Sequence, residues 1–260
     1  MQKNDRTTLV YDLPTRLFHW TFASLFLGAF FIAKVFDDDS AAYPYHMMLG
    51  MTMAFVVVLR IVWGIFGSRY AKFSSFALHP SQLISYMKSI FSGDERHLGH
   101  NPASSWAAIV MMLLALGSAT TGFLMSQSHD NKETFEDVHE LFANGFIVVV
   151  IAHVAGIILH TLRHKEMIGL SMLHGRKNKI GQEDGIKQSH PLVALVFLLL
   201  LGGFVFNLYH NYDVNTKSLN FFGKTMQLGE AEDKEEKSGG VETNDRENES
   251  TEKDSDDDND

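Results

Sequence analysis

Residues 141–162, LFANGFIVVVIAHVAGIILHTL, run for twenty-two positions in which the only ionisable side chains are His153 and His160. A helix of about twenty residues at 1.5 Å rise covers the roughly 30 Å hydrocarbon core of a bilayer. Three other stretches have this length and character: 17–36 (LFHWTFASLFLGAFFIAKVF), 47–66 (MMLGMTMAFVVVLRIVWGIF) and 106–125 (WAAIVMMLLALGSATTGFLM). A fifth, 192–208, is at the short end of spanning length. None of the five contains Asp or Glu. The pattern predicts an all-α integral membrane protein, a four-helix transmembrane bundle followed by a fifth C-terminal transmembrane helix and a disordered acidic tail. In chain order, 1–180 forms the membrane domain, 181–210 the linker and fifth helix, and 211–260 the tail.

The mean hydropathy of the 260 residues is −0.04, which resembles a soluble protein because two unlike segments are averaged. Residues 229–260 hold 15 acidic and 4 basic side chains, and no aromatic residue follows Phe222. Such a segment cannot bury enough apolar surface to fold. With that charge set aside, the remainder is faintly basic, so the acidic net charge of −9 says nothing about what the body binds. The absence of cysteine excludes disulfides, Cys-ligated zinc or iron–sulfur centres, a thiol nucleophile and covalent c-type haem attachment. There is no G-x-G-x-x-G, no P-loop and no basic stripe, so no nucleic acid partner is expected.

Loop charge sets the orientation, since short cytoplasmic loops concentrate Lys and Arg. Lys3, Arg6 and Arg16 precede span one, Arg69, Lys72, Lys88 and Arg96 lie between spans two and three, and Arg163, Lys165, Arg176, Lys177, Lys179 and Lys187 follow span four. The alternate loops carry Asp37, Asp38 and Asp39, then Asp130, Glu133, Glu136 and Asp137. The expected protein is multi-pass with its N-terminus cytoplasmic. The first apolar segment lacks a small-residue cleavage site and reads as a retained span.

Ionisable groups inside spans are costly and mark function. His139 and His153 are fourteen residues apart on span four, which returns to within about 40° of one face and descends about 21 Å. Each level then needs a partner. His19, early in span one, lies at the level of His153, while His46, early in antiparallel span two, lies at the level of His139. Two facing pairs of neutral imidazoles in a helical bundle are the arrangement that holds two b haems by bis-His ligation without cysteine. Gly28, Gly50, Gly117, Gly122, Gly145 and Gly156 would leave room for flat macrocycles beside close-packed helices. His160, seven residues beyond His153 on the same face, remains an alternative lower ligand, with snorkelling toward headgroups as its other role. Arg60, fourteen residues from His46 on one face, could pair with a haem propionate or contact headgroups.

Seven strings in order, D-L-P-T-R-L-F-H-W (12–20), H-M-M-L-G (46–50), R-I-V-W-G-I-F-G-S-R-Y-A-K-F (60–73), G-H-N-P (99–102), V-H-E-L-F-A-N (138–144), H-V-A-G (153–156) and M-L-H-G-R-K (172–177), resemble the bacterial cytochrome b561 family. That family includes the cytochrome b subunit of nickel–iron hydrogenases. The resemblance covers Val10 to Lys177 and implies a four-helix core with two non-covalent b haems ligated at His19, His46, His139 and His153, exchanging electrons with membrane quinone. Its spacing of two histidines on the fourth span favours His153 over His160. The fifth apolar segment and the tail lie outside it.

The leading expectation is a membrane electron carrier of a respiratory chain. It would move electrons between quinone or quinol and a periplasmic or membrane redox protein, either a c-type cytochrome or an oxidoreductase, with lipid as its surroundings and no catalytic side chain of its own. A subunit anchoring a larger oxidoreductase such as a nickel–iron hydrogenase uses the same chemistry. A His-lined metal or proton transporter is the alternative from another class, disfavoured by spans without acidic residues.

Overall fold

The computed structural model describes residues 7–92, 97–127, 131–180 and 184–229. Lys3, Arg6, Arg96, Asp130 and the acidic stretch 230–260 lie outside the described residues. Among the described residues, five helices are long and apolar enough to cross a membrane: α1 (Leu13–Val35), α2 (Tyr43–Phe66), α4 (Pro102–Met125), α5 (Lys132–His164) and α7 (Pro191–His210). Between them lie the short amphipathic α3 (Pro80–Ser92) and the single turn α6 (Ser171–His174).

Local chemistry fixes where these helices begin. Asp12 caps α1 by accepting a hydrogen bond from the Thr15 amide at 2.9 Å, with Pro14 in the first turn. Asn101 does the same for α4 through the Ser104 amide at 2.7 Å, ahead of Pro102. α5 begins about two turns before its apolar stretch, so the predicted boundary of 141 falls inside the helix. Glu133, Glu136 and Asp137 occupy that added length, and Glu133 complements the positive end of the helix dipole.

Chain direction alternates along the five long helices, so the N-termini of α1, α4 and α7 share one end with the C-termini of α2 and α5. At this N-terminal end β1 (Thr7–Leu9) pairs antiparallel with β2 (Arg176–Asn178), Thr8 opposite Lys177. Gly175 makes the junction possible. It adopts φ +78°, and its carbonyl accepts from both the Val10 and Tyr11 amides at 2.8 and 3.0 Å. The core lies midway along the bundle, where Phe22, Met53, Val56, Met112, Ala115, Phe146 and Phe197 of five helices are buried together. Phe31, Leu113, Ile151 and Leu199 point outward instead, an apolar exterior that suits lipid rather than water.

The opposite end corrects one sequence expectation. The tail does not begin at 211, because 212–227 fold into a three-stranded antiparallel meander of β3 (Tyr212–Asp213), β4 (Ser218–Phe221) and β5 (Lys224–Gln227). Strand alternation turns Leu219, Met226 and Leu228 inward onto Met48 and Leu208, burying all five. A two-residue turn at Phe222 and Gly223, both with positive φ, closes the hairpin. Lys217 ties the meander to the α1–α2 loop by donating from Nζ to the Asp39 carbonyl at 2.6 Å.

Candidate functional site

At the end away from the N-terminus, α2 and α5 bring His46 and His139 together, ring centroids 6.1 Å apart and planes at 71°. His46 Nδ1 lies 2.8 Å from the Ala29 carbonyl of α1. His139 Nδ1 lies 2.9 Å from the Ser118 carbonyl of α4 and 3.1 Å from Thr121 Oγ1. A carbonyl only accepts, so in both rings Nδ1 carries a proton, which leaves Nε2 as the nitrogen free to face a metal. A metal-binding imidazole is held in this way, with Nδ1–H donated to an acceptor and Nε2 turned to the metal.

At the N-terminal end, His19 of α1 and His153 of α5 line one apolar cavity of about 870 Å³, inside the roughly 300–1,000 Å³ range of cofactor-sized sites. His19 Nδ1 is buried there without a hydrogen-bond partner among the described residues. Arg60 of α2 lines the same cavity and is 4% exposed. Its guanidinium donates one bond to the Ala71 carbonyl at 2.9 Å and lies 4.9 Å from the Phe73 ring centre, while Nη1 is buried with no partner among the described residues. His160 also lines the cavity, with its ring centroid 4.5 Å from that of His164.

Two further cavity residues lie in the strings G-H-N-P and M-L-H-G-R-K and were not among the expected site residues. His100 of G-H-N-P packs between the Tyr11 and Phe76 rings, with Nδ1 buried and without a partner among the described residues. Burial, helped by the nearby Lys177 ammonium, pushes its pKa down to about 3, so it is neutral at ordinary pH. Lys177 of M-L-H-G-R-K donates to the Gly99 carbonyl at 2.9 Å and stands 5.1 Å from the Tyr11 ring centre. The signal in the sequence that could have found His100 is its place directly before the Asn-Pro helix start.

The other strings build the wall around this cavity. Asp12 is fully buried, and its second oxygen accepts from Trp63 Nε1 at 3.1 Å, which locks the start of α1 to the end of α2. Arg16 and Trp20 donate to the Leu173 and Met172 carbonyls at 2.5 and 3.0 Å, drawing the segment after α5 over the mouth. Tyr70 Oη donates to the Asp184 carbonyl at 2.9 Å.

A bis-imidazole haem fits this donor set. Two metal–nitrogen bonds of about 2 Å, with each nitrogen about 1 Å from its ring centre, space facing rings by roughly 6 Å. The His46–His139 separation meets that figure. Gly50, one turn from His46, and Gly156, one turn from His153, have open space where a Cβ would stand. A Cβ at Gly122 would meet His139 Cε1 at 3.6 Å. Gly117 serves packing instead, since Phe142 occupies the place of its side chain. No group of three or more His, Asp or Glu side chains able to hold a bare ion occurs among the described residues. Pairs of histidines are what a porphyrin, supplying four nitrogens itself, leaves for the protein to provide.

Residues 10–175 match the family described as prokaryotic cytochrome b561. The chain is 22% identical over 235 residues to the "Probable Ni/Fe-hydrogenase 1 B-type cytochrome subunit" of Escherichia coli (strain K12), covering 72% of this chain and 99% of that protein. It is also 22% identical over 223 residues to the "Probable Ni/Fe-hydrogenase B-type cytochrome subunit" of Rhizobium leguminosarum bv. viciae, covering 69% and 92% respectively. No solved structure gave a significant match.

Proposed function

Because the chain belongs to the prokaryotic cytochrome b561 family, we propose that it carries electrons through the membrane on two b haems, exchanging them with quinone and a redox enzyme. The protein is a multi-pass membrane b-type cytochrome. In this reading His46 and His139 hold the outer haem and His19 and His153 the cytoplasmic one, with the N-terminal end in the cytoplasm. The observation that carries it is the His46–His139 pair, with ring centroids 6.1 Å apart and both Nδ1 atoms committed to carbonyls.

A bound b haem supplies one-electron chemistry at its iron. Everything else is this chain's own work. α5 sets the separation of the two levels, fourteen residues or about 21 Å along one helix. Phe146, seven residues from each ligand histidine and 3% exposed, fills the space between them with Phe22 and Phe26 packed on its ring. Arg60 offers its unpaired Nη1 to an anionic group such as a propionate. Orientation is supported by Arg16, Arg69, Lys72, Arg163, Lys165 and Lys177 at the N-terminal end, against Asp37, Asp38, Asp39, Glu133 and Glu136 at the other. Hydrogenase subunits among the relatives favour an oxidoreductase docked outside, with quinone serving the other exchange.

Single alanine replacements of the four histidines, read by low-temperature reduced-minus-oxidised spectra, test the ligation. His46→Ala and His139→Ala should remove one shared component and His19→Ala and His153→Ala the other. Loss of the same component from His19→Ala and His46→Ala would end the two-level reading. Reduction of the bound haem by an added quinol in proteoliposomes tests the quinone exchange, and a haem that stays oxidised would refute it.

A further inference from the structure

The imidazoles at the two levels are not held alike. At the outer level both Nδ1–H groups donate to acceptors, His46 to Ala29 and His139 to Ser118 and Thr121. Thr121 is buried, and its hydroxyl proton is itself committed to the Gly117 and Ser118 carbonyls, each at 3.0 Å, so its lone pair faces the imidazole. At the cytoplasmic level, His19 Nδ1 is buried with no acceptor among the described residues, and the cavity wall carries Arg60 and Lys177.

An imidazole whose Nδ1–H is drawn toward an acceptor is a stronger electron donor through Nε2 and stabilises the more positive, oxidised metal. Cationic side chains beside a site stabilise its reduced form. Both asymmetries act in one direction. We propose that this chain holds its outer haem at a lower midpoint potential than its cytoplasmic haem, with Thr121 the positioning residue that orients His139 and tunes the outer one. Electrons are then favoured to pass inward. The proposal rests on the ligation described above and concerns its regulation by neighbouring groups.

Potentiometric titration of the full-length protein tests it, with the two components assigned by their loss in His139→Ala and in His153→Ala. The component lost in His139→Ala should have the lower midpoint. Thr121→Val, which keeps shape and removes the hydroxyl acceptor while leaving the Ser118 carbonyl, should raise that midpoint and leave the other in place, and Thr121→Ser should restore it. The opposite order of midpoints overturns the proposal without touching the ligation. A Thr121→Val protein that binds haem with both midpoints unmoved removes the role of Thr121. Should Thr121→Val fail to fold, the order in the unaltered protein still decides. If neither histidine replacement removes a separable component, the ligation itself fails and the proposal with it.

Discussion

Arg60 places a guanidinium inside the membrane domain with one bond to a carbonyl, three aromatic rings around it and Nη1 unpaired. A buried cation so held is costly unless an anion completes it. Arg60→Gln is expected to lower the midpoint of the cytoplasmic haem and loosen its retention, read by titration and by haem content after purification. His160 shares the cavity with His153, so position alone does not choose between them. His160→Ala should keep both spectral components, whereas His153→Ala should lose the cytoplasmic one. Asp12 makes a different kind of contribution. Asp12→Ala removes the cap of α1, worth about 1 kcal/mol, and strands Trp63 Nε1 at about 1–3 kcal/mol more. Its melting temperature should fall, with the cytoplasmic haem released first.

The helices were legible as elements because each spans about twenty apolar residues, a signal set by bilayer thickness rather than by subtle propensity. That His46 and His139 come to one level was legible too, since helices of alternating direction and fixed rise place residues by counting. Thr121 was not, because a hydroxyl in an apolar helix usually bonds its own i−4 carbonyl, and nothing in sequence says that it also faces an imidazole. The meander was missed for a related reason. Its strands are two to four residues long, and the acidic run beyond them masks the alternation of Leu219, Phe221, Met226 and Leu228. Leu219 is fully buried on Met48 and Leu208, so Leu219→Ala should destabilise the outer end by about 2–5 kcal/mol. Thermal melts followed at the outer haem should show the loss. Removing 230–260, which follows the last described residue, should leave the haem spectrum unchanged, whereas removing 211–260 should not.

Across the molecule, the two ends are built for different tasks. The N-terminal end closes a large cavity with a two-stranded clamp, the Asp12–Trp63 bond and a cluster of cations. The far end brings two histidines into register and covers α2 with the meander. α7 and the meander lie beyond the residues that match the family, so this covering is an addition to the shared core. Both ends depend on α5 remaining one unbroken helix from Lys132 to His164, since its length alone fixes the two levels. The central claim is that each chain holds two b haems, one per level. The most direct measurement is protohaem per polypeptide, by pyridine haemochrome absorbance set against amino-acid analysis of the purified, haem-replete protein. Two protohaems per chain is the predicted value. One or none would contradict the account.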